Sequence, residues 1–353
     1  MLTGQLAVVA TPVPLIVDTD IGGGSCRDVD DVGAICMANA LADNGEIDLL
    51  AVVVNTRPVQ GVRAVAAINA WYGRDVLIGA YRPPVPDDGL WPHPPILPWI
   101  GTLPHGTSDP LPYVDRLAAE WPSCPQVQSA VDVYRRVLAA QPDRSVTISS
   151  IGLLTNLEAL LKSSADGHSR LSGRDLVARK VRYLAVMGGE YPRVPLSSSG
   201  SCGCNFCAVH RGGQDHAVAA AAAAFVVAHI PAEVQVVFTG GEAGIQVWSG
   251  ARLISCAPLG SPCRAAYTSW EQTTGEVGRY SWDPLSLLVA VRGPIGSGCE
   301  MCSGCDGFNV VNRTSGSNRW VLGAATNQPY VVVRNASAAA QALTLTLSLT
   351  LTL

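Results

Sequence analysis

The sequence predicts an α/β fold: a doubly wound, mainly parallel sheet with helices on both faces. Two observations carry that expectation. Short apolar runs alternate with helical stretches along most of the chain, and the first such run ends in carboxylates. At 353 residues, 48% apolar and only 15% charged, the chain can bury a sizeable core.

Residues 14–18 form an apolar run ending in acid, the pattern of a buried strand that delivers carboxylates at its C-terminal end. A Gly-rich loop follows at residues 22–27. Asp30 and Asp31 then open a helix carrying Val32, Ile35, Cys36 and Leu41; acids in a first turn also suit the helix dipole. Residues 49–55 read as a second strand, and residues 62–72 as a second helix closed by Gly73. Residues 82–112 contain ten prolines and little periodicity, so they read as a long irregular loop over the site.

Val127, Val131, Tyr134 and Leu138 make a helical stripe, and residues 146–151, 181–187 and 234–238 read as further strands. The apolar stretch 217–231 is mostly alanine and falls short of the about 20 residues a membrane span needs, so it reads as a core helix. From 343 to 353 Leu alternates with Thr or Ser, a strand pattern in low-complexity sequence. Residues 1–335 are therefore expected to form one domain, followed by a tail at 336–353.

The formal net charge is −4 with no run of Lys or Arg, which argues against nucleic acid and anionic membranes as partners. No positive charge precedes the apolar part of residues 1–14, so a secretory signal is not expected and a cytoplasmic location is. Asn312-Arg-Thr and Asn335-Ala-Ser are formal glycosylation acceptors that matter only in a secreted chain.

Five aspartates, Asp18, Asp20, Asp28, Asp30 and Asp31, fall within fourteen residues. Like charges at that density need a cation or full solvation. Oxygen donors without clustered His point to a hard ion, Ca²⁺ or Mg²⁺. In a doubly wound sheet, ligands sit beyond the carboxyl ends of the strands, where Asp18, Asp20 and Asn55 are expected.

The segment DTDIGGGSCRDVDDVGA, residues 18–34, resembles the signature of the inosine-uridine-preferring nucleoside hydrolase family, with a short insertion around Ser25 and Cys26. The resemblance continues in order through VVVNT (52–56), AINAWYGR (67–74), SIGLLTNLEALL (150–161), AVMGGEYP (185–192) and SWDPL (281–285). It implies hydrolysis of a ribonucleoside to ribose and free base, a calcium cofactor and a homo-oligomeric assembly. Asp20, Asp31, the Thr155 carbonyl and Asp283 match the family's calcium ligands, and Asp20 also matches its general base. Asp30, Asn55 and Asn205 match residues that hold the ribose hydroxyls. Asp18 matches a supporting carboxylate, and Met187 a residue lining the sugar pocket.

The chemistry suits those residue types. Cleaving an N-glycosidic bond builds positive charge on the sugar, which nearby carboxylates stabilise. Two positions depart from the family pattern. Gly203 stands where a Glu usually contacts the 5′-hydroxyl, and Trp282 where many members carry His beside the leaving base. The Trp282 face could stack on a purine or pack in the core, and His105 in the Pro-rich loop either resembles a His-Gly pair that the family often has near the base or is a surface loop histidine. A binding protein that has lost turnover is the rival reading. A Mg²⁺ phosphatase using Asp18 and Asp20 lacks the Lys and Thr/Ser motifs it would need.

Eleven cysteines remain. Cys202, Cys204 and Cys207, with Cys299, Cys302 and Cys305, have spacings compatible with a metal, with disulfides or with free thiols.

Overall fold

The computed structural model describes residues 11–21, 29–55, 59–81, 127–191, 205–207, 214–324 and 326–348. The Gly-rich loop, Asp28, the Pro-rich stretch with His105, and Cys202, Gly203 and Cys204 lie outside the described residues.

The described strands β1 (Val13–Thr19), β2 (Ile47–Val54), β3 (Leu77–Ala80), β4 (Gln128–Ser129), β5 (Val146–Ser150), β6 (Val181–Met187) and β7 (Gln235–Thr239) form one sheet in the order β4-β3-β2-β1-β5-β6-β7. Every pairing in it is parallel. The doubly wound fold expected from the sequence is therefore observed. The strand order reverses between β1 and β5, where Ile151 N–H donates to the Asp18 carbonyl at 2.7 Å. That reversal opens a crevice at the carboxyl ends of the two strands.

The helices divide between the faces because β1 alternates. Leu15 and Val17 pack with α1 (Asp30–Asp43) and α2 (Val59–Trp71), while Ile16 packs with α3 (Ala130–Ala140), α4 (Thr155–Lys162), α5 (Gly173–Lys180) and α6 (Gln214–His229). Each fully buried aliphatic side chain in these layers contributes about 1.5–3 kcal/mol. Residues 217–231 fall mostly within α6, as a core helix. The expected stripe on α3 is rotated: Val131 is only half-buried, and Val133, Tyr134, Val137 and Leu138 form the buried face.

After β7 come α7 (Gly241–Gly244), β8 (Trp248–Ser249), α8 (Ala251–Cys256), α9 (Pro262–Thr274), β9 (Arg279–Tyr280) and α10 (Trp282–Gly296). Gly293 adopts φ +71° inside α10 just before Pro294, which breaks the helix there. Strands β10 (Cys299–Met301) and β13 (Val331–Val333) pair antiparallel, as do β11 (Gly307–Val311) and β12 (Asn318–Leu322).

The Leu/Thr segment differs from its strand pattern. Residues Ala336–Ser348 form a helix, α11, whose Leu343 and Leu347 are fully or almost fully buried. Alternation at every second residue also contains an i, i+4 pair, and the alanines before it favour helix. Arg292 ties α11 to the body, reaching both Glu46 carboxylate oxygens at 2.7 Å and the Thr346 hydroxyl at 3.0 Å.

The cysteines pair in a way their spacing did not reveal. Cys36 on α1 is bonded to Cys263 on α9, 227 residues away. Cys302 is bonded to Cys305, and Cys207 is also in a disulfide. Cys299 remains a buried thiol whose pKa burial pushes up to about 11. The C-x-x-C-x-x-C group is thus split between a disulfide and a thiol.

Candidate active site

Asp20 follows the carboxyl end of β1, and Asp30 and Asp31 form the first turn of α1. Asp283 lies in the first turn of α10. The three carboxylates of Asp20, Asp31 and Asp283 are buried at 1%, 2% and 4% exposure. Each offers one oxygen, and these oxygens lie within 4.8 Å of one another. Residues 263 positions apart in sequence thus meet because β1 and two helix N-termini converge on the sheet crevice. Asp30 joins the group by accepting the Asp283 backbone N–H at 3.0 Å. The Thr19 hydroxyl donates to Asp31 and accepts the Ile21 N–H, fixing the chain on either side of Asp20.

Asp18 lies beneath this cluster and is fully buried. It accepts Tyr134 Oη at 2.8 Å, Asn55 Nδ2 at 2.8 Å and Asn156 Nδ2 at 3.0 Å. Burial pushes its carboxyl up to about 7, against the lowering effect of those three donors. Asn55 is held at both ends of its amide, since its Oδ1 accepts Leu153 N–H at 3.1 Å. The Thr155 hydroxyl donates to the Asn55 carbonyl at 3.0 Å, so Thr155 stands beside the same residue. Gly152 makes this approach feasible. A Cβ there would lie 2.5 Å from both Asp20 N and Asn55 Nδ2.

Met187 ends β6, and Asn205 is bound to it. Asn205 Nδ2 reaches the Met187 carbonyl and the Ile151 carbonyl at 3.2 Å, and Met187 Sδ at 3.0 Å. Asn205 has φ +69°, a left-handed backbone that Asn tolerates better than most residues.

Trp282 packs on α7. Its indole N–H donates to the Gly241 carbonyl at 2.8 Å, and the Arg279 guanidinium lies 4.9 Å over its ring. That ring face is therefore occupied by a cation rather than open to a purine. Glu242 of α7 accepts the Tyr191 N–H at 2.9 Å, and burial pushes its carboxyl up to about 7.

The structure thus brings together Asp18, Asp20, Asp30, Asp31, Asn55, Thr155 and Asp283, and pairs Met187 with Asn205. His105 lies outside the described residues. Sequence reasoning missed Tyr134, which reads as one more apolar position on a helix, and Asn156, which looks like an ordinary helix-start residue. It also missed Glu242, although an acid after two glycines at the end of a parallel strand is a visible signal.

A doubly wound α/β chain with a buried carboxylate trio at its topological switch point defines a class of candidate metal-dependent enzymes. Residues 15–199 match the inosine-uridine preferring nucleoside hydrolase family, and the chain belongs to that family. Solved structures agree at the level of fold. A plant nucleoside hydrolase, the PpNRh1 enzyme, is 17% identical with TM-score 0.58, over 95% of this chain and 99% of that one. The inosine-uridine preferring nucleoside hydrolase from Bacillus anthracis is 15% identical with TM-score 0.61, over 96% and 99%. The type III effector protein XopQ, complexed with adenosine diphosphate ribose, is 17% identical with TM-score 0.61, over 97% and 95%. No curated protein matches the chain in sequence. Among the described residues no helix is long and apolar enough to cross a membrane.

Proposed function

We propose that the chain hydrolyses the N-glycosidic bond of ribonucleosides, releasing ribose and free base. The observation that carries this reading is the buried trio Asp20, Asp31 and Asp283 beside the Asp18–Asn55 network. Three buried carboxylate oxygens closing to within 4.8 Å, all hard donors, fit a divalent cation of the calcium type. Asp20, Asp31, Asp283 and the Thr155 carbonyl would hold it. When bound, such an ion offsets the repulsion between the carboxylates and acidifies water.

The chain's own residues divide the remaining work. Asp20 accepts the proton of the attacking water. Asp30, Asn55 and Asn205 hold the ribose hydroxyls, with Met187 against the sugar. Asn55 can do this while bound to Asp18 and Leu153, because its amide keeps a second N–H and a second lone pair. Asp18 fixes Asn55 and orients the site, and Asp30 adds negative potential as the sugar becomes oxocarbenium-like. Direct attack by water inverts the anomeric carbon, with no covalent enzyme intermediate.

The test is a reducing-sugar assay across a panel of nucleosides, with calcium and with chelator. Ribose release that chelator abolishes and calcium restores is the expected result. No release from any nucleoside, with ribose still bound, would move the assignment to a ribose-binding protein.

A further inference from the structure

Breaking the C1′–N bond expels a base that leaves poorly as an anion, so a proton donor near the base is needed. Trp282 does not meet that need. An indole N–H is only a hydrogen-bond donor, and here it is directed at the Gly241 carbonyl. We propose that Glu242 is the general acid that protonates the departing base, an inference that rests on the hydrolase reading above.

Placement carries the proposal. Glu242 lies in the short turn of helix that follows β7, at the same carboxyl edge of the sheet as Asp20 and Met187. Two segments already at the site clamp that turn. From the loop after Met187, Gly189 accepts Gly241 N–H at 2.9 Å and Tyr191 N–H reaches Glu242 Oε2 at 2.9 Å. From the other side, Trp282, the neighbour of Asp283, holds the Gly241 carbonyl. The Glu242 side chain folds back over Gly240, where a Cβ would stand 2.2 Å from Oε2 and displace the carboxylate. The residue is half-buried rather than sealed.

The electrostatics agree with that placement. Burial pushes the Glu242 carboxyl up to about 7, and the charge of Glu190 adds to the rise, while the Tyr191 N–H opposes it. The titratable groups that face it are Glu190 and Tyr191 after β6 and Tyr330 before β13. Both tyrosines have pKa values raised by burial and stay neutral. From α10, the uncharged Trp282 binds the adjacent Gly241 carbonyl, and Arg279 lies over the Trp282 ring. Glu242 is therefore protonated in part at neutral pH and fully below it, the form a general acid needs.

The step balances. The C1′–N bond breaks with its electron pair going to the base, and the Glu242 proton moves to a base nitrogen, leaving a carboxylate. The water oxygen bonds to C1′ and gives its proton to Asp20. Solvent exchange then returns a proton to Glu242 and removes one from Asp20.

The experiment compares inosine with p-nitrophenyl β-ribofuranoside, whose leaving group needs no proton, in the calcium-loaded wild type and in Glu242→Gln. Gln keeps a carbonyl to accept the Tyr191 N–H, so the fold is retained. Glu242→Gln is expected to lower kcat/KM for inosine by about 10²–10⁴-fold and leave the p-nitrophenyl substrate little changed. The wild-type inosine profile should fall as pH rises through about 7, a limb absent with p-nitrophenyl riboside and in the variant. Equal losses on both substrates, or unchanged inosine cleavage, would overturn the assignment. A wild type inactive on both substrates would instead remove the hydrolase reading, and this inference with it.

Discussion

Asp20→Asn is expected to lower kcat on a cleaved nucleoside by about 10²–10⁴-fold, the range for loss of a general acid or base. Asparagine is nearly isosteric with aspartate, so the packing around this 1%-exposed side chain survives. What disappears is the negative charge and the capacity to take a proton from water. The same substitution removes one member of the carboxylate trio, so metal content must be measured beside activity. A large kcat loss at full calcium occupancy assigns Asp20 to the proton transfer. A loss that excess calcium fully repairs would make it a ligand only. Near-wild-type turnover would remove it from the mechanism.

Asp18→Ala is expected to act first on stability, by about 3 kcal/mol or more for three orphaned donors. The carboxyl is fully buried and accepts three donors, from Tyr134, Asn55 and Asn156. Each buried donor left without an acceptor costs about 1–3 kcal/mol, and the methyl group leaves a cavity as well. Asn55 loses the contact that aims its amide, so ribose affinity should fall in whatever protein still folds. Chemical denaturation of wild type and variant in chelator measures the first effect without metal linkage. A variant within about 1 kcal/mol of wild type would mean that solvent or rearrangement satisfies those donors.

Much of this site is legible in the sequence because its parts are local. An apolar run ending in Asp18 and Asp20 can hardly be anything but a buried strand presenting acids, and β1 spans it as Val13–Thr19. Strand β6 has the predicted bounds, Val181–Met187, because residues 184–187, buried on both faces, give a continuous apolar run at its carboxyl end. By contrast, β3 and β4 are four and two residues long, too short for any periodicity to register. The tail misled because Leu343, Leu345 and Leu347 satisfy a strand's period of two, yet Leu343 and Leu347 also share a helix face.

Long-range facts were harder to read. Nothing near Cys36 or Cys263 announces their bond, which depends on α1 and α9 packing side by side. Tyr134 matters for its hydroxyl, which an amphipathic pattern treats as part of an apolar position. Trp282 could be seen to lack a useful proton, but not that Gly241 would take its N–H or that Arg279 would cover its ring.

The central claim is that the buried aspartates bind a hard cation and a ribose together. The most direct measurement is a crystal structure of the protein grown with calcium and ribose. One ion should touch Asp20, Asp31 and Asp283 at about 2.3–2.6 Å, with ribose hydroxyls on Asp30 and Asn205. Empty aspartates with the ion held elsewhere, or a sugar bound away from the carboxyl ends of β1 and β5, would contradict it.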